Sequence, residues 1–169
     1  MVENSTRHVG PEEALAELKT LGGLKFLKAI QEGRLPQPPI ADLMGFRLAE
    51  VEEGRAVFTG TPDERVYNPI GSVHGGYAAT LLDSCMSCAV HSQLLPGFGY
   101  TTLEFKVNLL RRISAQTGPV RAEGKVVHLG RQIACSDGQI IDGEGRVLAH
   151  GTATCLVFAF DRGPSRAGA

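Results

Sequence analysis

Between Asn68 and Asp83 the chain reads Asn68-x2-Gly71-x2-His74-Gly75-Gly76-x6-Asp83, a set of residue types suited to chemistry at a carbonyl. Gly75-Gly76 open a long apolar stretch. Backbone N–H groups at a helix start have no internal partner, and the helix dipole there favours negative charge. Glycine lets a ligand approach that backbone closely, so the pair suits a carbonyl oxygen that becomes an oxyanion. The plainer reading is that the glycines only allow a tight lead into the helix. Asp83 is the sharper feature. It stands among Leu81, Leu82, Cys85 and Met86, and a carboxylate is seldom buried without a partner. It is either a structural cap or pair, for instance with an arginine, or a general base or nucleophile in a cleft. His74 could simply orient the helix start, and Asn68 could simply make a turn.

These residues need elements to carry them. From Tyr77 to Leu95 the chain has no Gly or Pro, and Ala78, Leu81, Leu82, Cys85, Met86, Ala89 and Val90 make it apolar on much of its circumference. Such a helix is buried. Phe46–Val51 alternates as a half-buried strand does, and Arg55–Thr61 follows a turn at Gly54. Four more strand-like runs come after Gly99: Tyr100–Leu110, Val120–His128, Gln132–Ile141 and Arg146–Phe160. Asp142-Gly143-Glu144-Gly145 is a hairpin signal. Strand and helix do not alternate, which excludes a parallel α/β fold. The expected class is α+β: a curved antiparallel sheet of about six strands wrapped around one long buried helix.

Ahead of this domain, residues 11–33 read as a helical extension. Pro11 opens it, Glu12 and Glu13 follow, Gly22-Gly23 break or bend it, and Gly33 closes it. Leu15, Leu18, Leu24, Leu27 and Ile30 form an apolar stripe that must lie against the domain or a neighbouring subunit. Leu35-Pro36-Gln37-Pro38-Pro39 is a stiff linker. The expected organisation is an extension over 1–39, the main domain over 40–160, and a frayed tail over 161–169.

With 169 residues the chain fits one ordinary domain plus an extension. Its net charge of -1 gives no reason to expect nucleic-acid binding, and no apolar run approaches the ~20 residues that span a bilayer. The N-terminus lacks the basic and apolar regions of a signal peptide, so a cytoplasmic protein is expected. Cys85, Cys88, Cys135 and Cys155 then read as reduced thiols, and Cys85-x2-Cys88 as small apolar residues of a buried helix rather than half of a metal site.

The string VYNPIGSVHGGYAATLLDS resembles the hotdog-fold acyl-CoA thioesterases of the 4-hydroxybenzoyl-CoA thioesterase superfamily, nearest to the phenylacetate-pathway (PaaI-like) branch. Thr101–Val107, the turn His128-Leu129-Gly130-Arg131 and the pattern Asp142-x2-Gly145-x3-Ala149-x4-Thr154 carry the resemblance downstream, over roughly residues 40–160. It implies that Gly75 polarises the thioester carbonyl and that Asp83 activates water or attacks the carbonyl. Asn68 and His74 would orient the thioester or the nucleophile. Thr102 would position the water, although Thr101 stands beside it and one residue reverses the facing of a strand side chain. Arg111, Arg112 and Arg131 are candidates for the coenzyme A phosphates. No metal and no cofactor are implied beyond the coenzyme A of the substrate, and a homodimer, often paired into a tetramer, is.

Two other readings compete: a hotdog hydratase or dehydratase, and a non-catalytic acyl-CoA sensor. The H-G-G-x6-D string argues against the first. Against a sensor fused to a DNA-binding domain, residues 1–39 offer at most one broken helix. Helix geometry adds a further expectation. Eight positions on one helix separate Gly75 from Asp83 by ~12 Å, too far for both to reach one carbonyl. Two helices running antiparallel about a two-fold axis could place Gly75 of one chain opposite Asp83 of the other.

Overall fold

A computed structural model describes residues 11–160; the expectations for residues 1–10 and for the 161–169 tail lie outside them. The elements, in chain order, are α1 (Pro11–Leu21), α2 (Gly23–Gln31), α3 (Pro39–Met44), β1 (Phe46–Glu52), β2 (Arg55–Gly60), α4 (Gly75–His91), β3 (Phe98–Leu109), β4 (Val120–Leu129), β5 (Ile133–Ile141) and β6 (Val147–Ala159). Single 3₁₀ turns sit at Glu64–Val66 and Ala115–Thr117. All strands join one antiparallel sheet in the order β1-β2-β4-β5-β6-β3, and α4 lies across it. The expected α+β architecture of six strands around one buried helix is the one observed.

Helix α4 forms the core because its sheet-facing side is apolar at helical spacing. Leu81, Leu82, Cys85, Met86 and Ala89 are fully buried. The helix sits close on the sheet where the strands carry no side chain towards it: a Cβ at Gly124 of β4 would overlap the Cys85 carbonyl, and one at Gly138 of β5 would lie 2.7 Å from Met86. The helix ends at His91 rather than at Leu95. Leu94 N–H bonds back to the His91 carbonyl in the turn that follows.

The extension is two helices, not one. Gly22 takes a left-handed φ of 73°, which breaks the helix, and Gly23 N–H then bonds the Leu94 carbonyl beyond the end of α4. Leu27 and Ile30 are buried, whereas Leu15 on α1 is 44% exposed, so α2 carries the docking stripe. The stiff linker is followed by α3, which its Pro-rich approach hides in the sequence. Pro39 starts it, where a missing N–H costs nothing, and Gly45 at φ 72° stops it.

His91 closes the last turn of α4, 4% exposed, with its Nε2 unpartnered. A helix C-terminus favours an imidazolium by up to ~2 kcal/mol. Burial opposes this and wins, holding the His91 pKa down at about 4. The unfolded chain therefore binds a proton near pH 6.5 that the folded chain refuses until about pH 4. Stability should be complete above about pH 6.5 and fall below it, by about 2 kcal/mol between pH 7.5 and pH 5. Denaturant unfolding of wild type and His91→Phe at both pH values checks this: the loss should disappear in the variant. Glu123 does not confuse the comparison. Burial pushes its carboxyl up, but hydrogen bonds from Lys125, Arg121 and Arg55 outweigh this and hold it at about 2, below the window.

Candidate active site

The start of α4 is built from the loop before it. Asn68 Oδ1 accepts from the N–H groups of Ile70 at 3.1 Å and Ser72 at 3.2 Å, and its Nδ2 donates to Ser72 Oγ at 3.0 Å. Within the chain Asn68 is thus a turn residue that shapes the approach to the helix. His74 is the N-cap. Its Nδ1 accepts from Gly76 N–H at 2.8 Å, so Nδ1 carries no proton in this arrangement and the exposed ring keeps Nε2–H as a donor. Gly75 N–H finds no acceptor among the described residues. Beside it opens a cavity of about 490 Å³, lined by Asn68, His74, Gly75, Leu109, Arg111 and Arg112 among others. A Cβ at Gly75 would lie 2.9 Å from Leu109, so glycine keeps the free N–H open to this cavity.

Two of the three arginines expected near a phosphate, Arg111 and Arg112, therefore stand at this cavity. Arg112 Nη2 donates to the Gly71 carbonyl at 2.5 Å, and Arg111 Nη1 donates to the Val147 carbonyl. Neither has a carboxylate partner among the described residues, so their charge faces the cavity uncompensated. Arg131 does not join them. It is exposed in the turn between β4 and β5, and β4 runs alongside α4 from its first turn towards its far end.

Asp83 forms a second, separate group two turns along α4. Thr102 on β3 donates to its Oδ1 at 3.0 Å, and Ser87, one turn on, donates to the same oxygen at 3.1 Å. The two hydroxyl oxygens are themselves 3.0 Å apart. Two hydroxyl hydrogens cannot fill three contacts, so one side of the triangle is always without a hydrogen. Asp83 Oδ2 has no partner among the described residues. The nearby thiols are neutral: burial pushes Cys88 up to about 12 and also raises Cys155, whose Sγ lies 4.0 Å from Ser87 Oγ. No cation among the described residues pairs with Asp83; the partners it has there are the Ser87 and Thr102 hydroxyls.

Thr102 rather than Thr101 faces Asp83 because of pairing with β6. Thr102 opposes Cys155, which points inward, while Thr101 opposes Leu156 and is exposed. A bulge at Leu103 then shifts the register, so that Glu104 meets Thr154 and Phe105 pairs with Ala153 while staying 41% exposed. Ser87 was not among the sequence candidates, although its spacing of four from Asp83 puts both on one helix face and was the available signal. In one chain, then, the structure gathers Asn68, His74, Gly75, Arg111 and Arg112 at the helix start, and Asp83, Thr102 and Ser87 along its flank.

The thioesterase superfamily model matches residues 70–149, which span the helix start, Asp83 and Thr102. The chain is 27% identical over 118 residues to the 1,4-dihydroxy-2-naphthoyl-CoA hydrolase of Listeria monocytogenes, covering 70% of this chain and 94% of that protein. It is 31% identical over 84 residues to the proofreading thioesterase EntH of Klebsiella pneumoniae, covering 50% of this chain and 60% of that one. Among solved structures, the PaaI protein of the Escherichia coli phenylacetic acid degradation operon superposes with a TM-score of 0.66 at 25% identity, covering 72% of this chain and 86% of that chain. No helix among the described residues is long and apolar enough to cross a membrane. Matching motif, sheet order and central helix agree: the chain has the hotdog fold of these thioesterases, and its residues 70–149 resemble the thioesterase superfamily.

Proposed function

We propose that the protein hydrolyses acyl-CoA thioesters to the free acid and coenzyme A. The observation that carries this is the pairing of an unoccupied helix-start N–H at Gly75, beside a cavity holding two unpaired arginines, with a carboxylate at Asp83 that keeps one oxygen free. Water, its proton taken up by Asp83 Oδ2, adds to the thioester carbon. The carbonyl oxygen becomes an oxyanion against Gly75 N–H, and collapse expels the coenzyme A thiolate. Asp83 can alternatively attack the carbonyl itself, with water then releasing the acid. Ser87 and Thr102 hold Oδ1 and so aim Oδ2. Arg111 and Arg112 suit the phosphates of coenzyme A.

The active unit in this reading is a dimer. Gly75 and Asp83 lie on the same straight helix, so one chain cannot bring both to one carbonyl. Among the described residues strand β3 ends the sheet and pairs only with β6, and Leu103, Phe105 and Leu109 stand exposed along it at 55%, 41% and 57%. A second copy docked on this edge would cover them and run its own α4 antiparallel to the first. Arg131, beyond the far end of α4, would reach the shared cavity only from that copy. Pairing of dimers into a tetramer and a cytoplasmic setting are consistent with the same reading.

The deciding experiment is an assay of the purified protein against a panel of short-chain, medium-chain and aryl acyl-CoA thioesters, with coenzyme A release as the readout. Turnover of at least one class is the expected result. Binding without turnover would instead indicate a sensor, and addition of water across an enoyl-CoA would indicate a hydratase. Within this assay Thr102→Val, isosteric but without the hydroxyl, should lower kcat about tenfold or more, the worth of a hydrogen bond to a charged group. Thr101→Val, on the exposed face, should leave kcat within about twofold. Equal effects of the two substitutions would refute the assigned facing.

A further inference from the structure

We propose that Tyr100 is a positioning residue for hydrolysis and that the N-terminal helices set it in place, through a stack of Phe26, His91 and Tyr100. This rests on the reading of Asp83, aimed by Thr102, as the base or nucleophile.

Thr102 can serve Asp83 only while β3 is held against α4 at the right distance. Strand β3 is an edge strand, supported on one side by β6 alone, so this distance is not secured by the sheet. Tyr100 stands two residues before Thr102 on the same inward face, about 7 Å along the strand. Its ring lies 5.3 Å from the His91 ring, and its hydroxyl is near enough to the Cys88 side chain to interact with it. Cys88 and His91 are spaced by three on α4, so Tyr100 spans the face of the helix just beyond Ser87.

His91 is in turn packed by the extension. The Phe26 ring of α2 lies 5.7 Å from the His91 ring. Gly23 lets α2 approach this closely, since a Cβ there would overlap the His91 carbonyl and lie 2.9 Å from the imidazole Cδ2. The approach is locked by the backbone bonds Gly23 N–H to Leu94 carbonyl at 2.9 Å and Gly97 N–H to Lys19 carbonyl at 2.8 Å. The imidazole Nε2 makes no hydrogen bond among the described residues, and the Phe26 and Tyr100 rings both pack against the ring. Remove Phe26 and one wall of that slot is gone. His91 is then free to tilt away from Tyr100, and the strand bearing Thr102 loses its backing. A displacement of about 1 Å in such a group can cost on the order of 10²-fold in rate.

The test is a double-mutant cycle between Phe26→Ala and Thr102→Val, read as kcat and KM with the acyl-CoA that the protein turns over best. Phe26→Ala should lower kcat about tenfold with KM within about twofold, and should lower it less than about twofold further in the Thr102→Val background. Phe26→Leu, which refills the slot, should recover most of the loss. An unchanged kcat, or an equal loss in both backgrounds, would overturn the proposal, because a merely structural effect adds independently. Should Phe26→Ala fail to fold, Tyr100→Leu removes the ring that meets His91 while keeping an apolar side chain there. It should lower kcat severalfold in wild type and little in Thr102→Val, and additive losses would again overturn the proposal. A readout independent of turnover is amide hydrogen exchange over residues 100–102. Faster exchange in Phe26→Ala supports the coupling even were the substrate reading to fail, and unchanged exchange refutes it even where hydrolysis is intact.

Discussion

Asp83→Asn is expected to lose between about 10² and 10⁴-fold of turnover while the protein stays folded and still binds coenzyme A. The substitution is chosen because the geometry makes it selective. Both internal hydrogen bonds, from Thr102 and Ser87, end on Oδ1, and an asparagine carbonyl placed there accepts both. Only Oδ2 changes, from a carboxylate oxygen into an NH₂ group that can neither take a proton from water nor attack a carbonyl. Asp83→Ala is a poorer choice, since it leaves the Ser87 and Thr102 hydroxyls without their acceptor and adds a structural cost of about 1–3 kcal/mol. The measurement is steady-state hydrolysis beside a thermal melt and a coenzyme A binding isotherm. Near-normal hydrolysis by a clean Asp83→Asn preparation would remove Asp83 from the mechanism.

A mixed dimer should recover what each of two inactive parents has lost. One parent is Asp83→Asn. The other is Gly75→Pro, which deletes the N–H proposed to meet the oxyanion. Proline is tolerated at this position on backbone grounds. Gly75 is the first residue of α4, where the N–H bonds nothing within the helix, and His74 before it has φ -61° and ψ 137°, the extended conformation that a residue preceding proline prefers. The ring must displace Leu109, whose Cδ1 would be 2.9 Å from an added Cβ, so a thermal melt and a check of dimer assembly on the Gly75→Pro parent accompany the assay. In a heterodimer one of the two sites combines an intact Gly75 with an intact Asp83. Activity should therefore return to about half that of wild type per mixed dimer, a gain of at least about 10²-fold over either parent. Verified heterodimers with no recovered activity, or a fully active monomer, would show that the site is not shared.

The helix-start motif, the buried central helix and the six strands were legible in the sequence because each rests on local rules. Apolar residues at helical spacing from Ala78 to Val90 can only be buried, and alternating runs punctuated by Gly54 and Asp142–Gly145 can only be strands joined by turns. The His74-Gly75-Gly76 start and the isolated carboxylate at Asp83 stood out for the same reason, since each breaks its local pattern. Ser87 could have been found by counting four residues on from Asp83, but a serine in an apolar helix has no mark of its own.

Only the tertiary structure decided the rest. Alternation is blind to a slip of one residue, so it could not choose between Thr101 and Thr102. Pairing of β3 with β6 and the bulge at Leu103 made that choice. Three arginines were equal in the sequence, and the fold alone set Arg111 and Arg112 beside Gly75 while leaving Arg131 at the other end of β4. The extension, too, showed only an apolar stripe. That its Phe26 meets His91, and through it Tyr100, joins residues 65 and more positions apart in the chain, and contacts of that range arise only when the folded core brings their elements together.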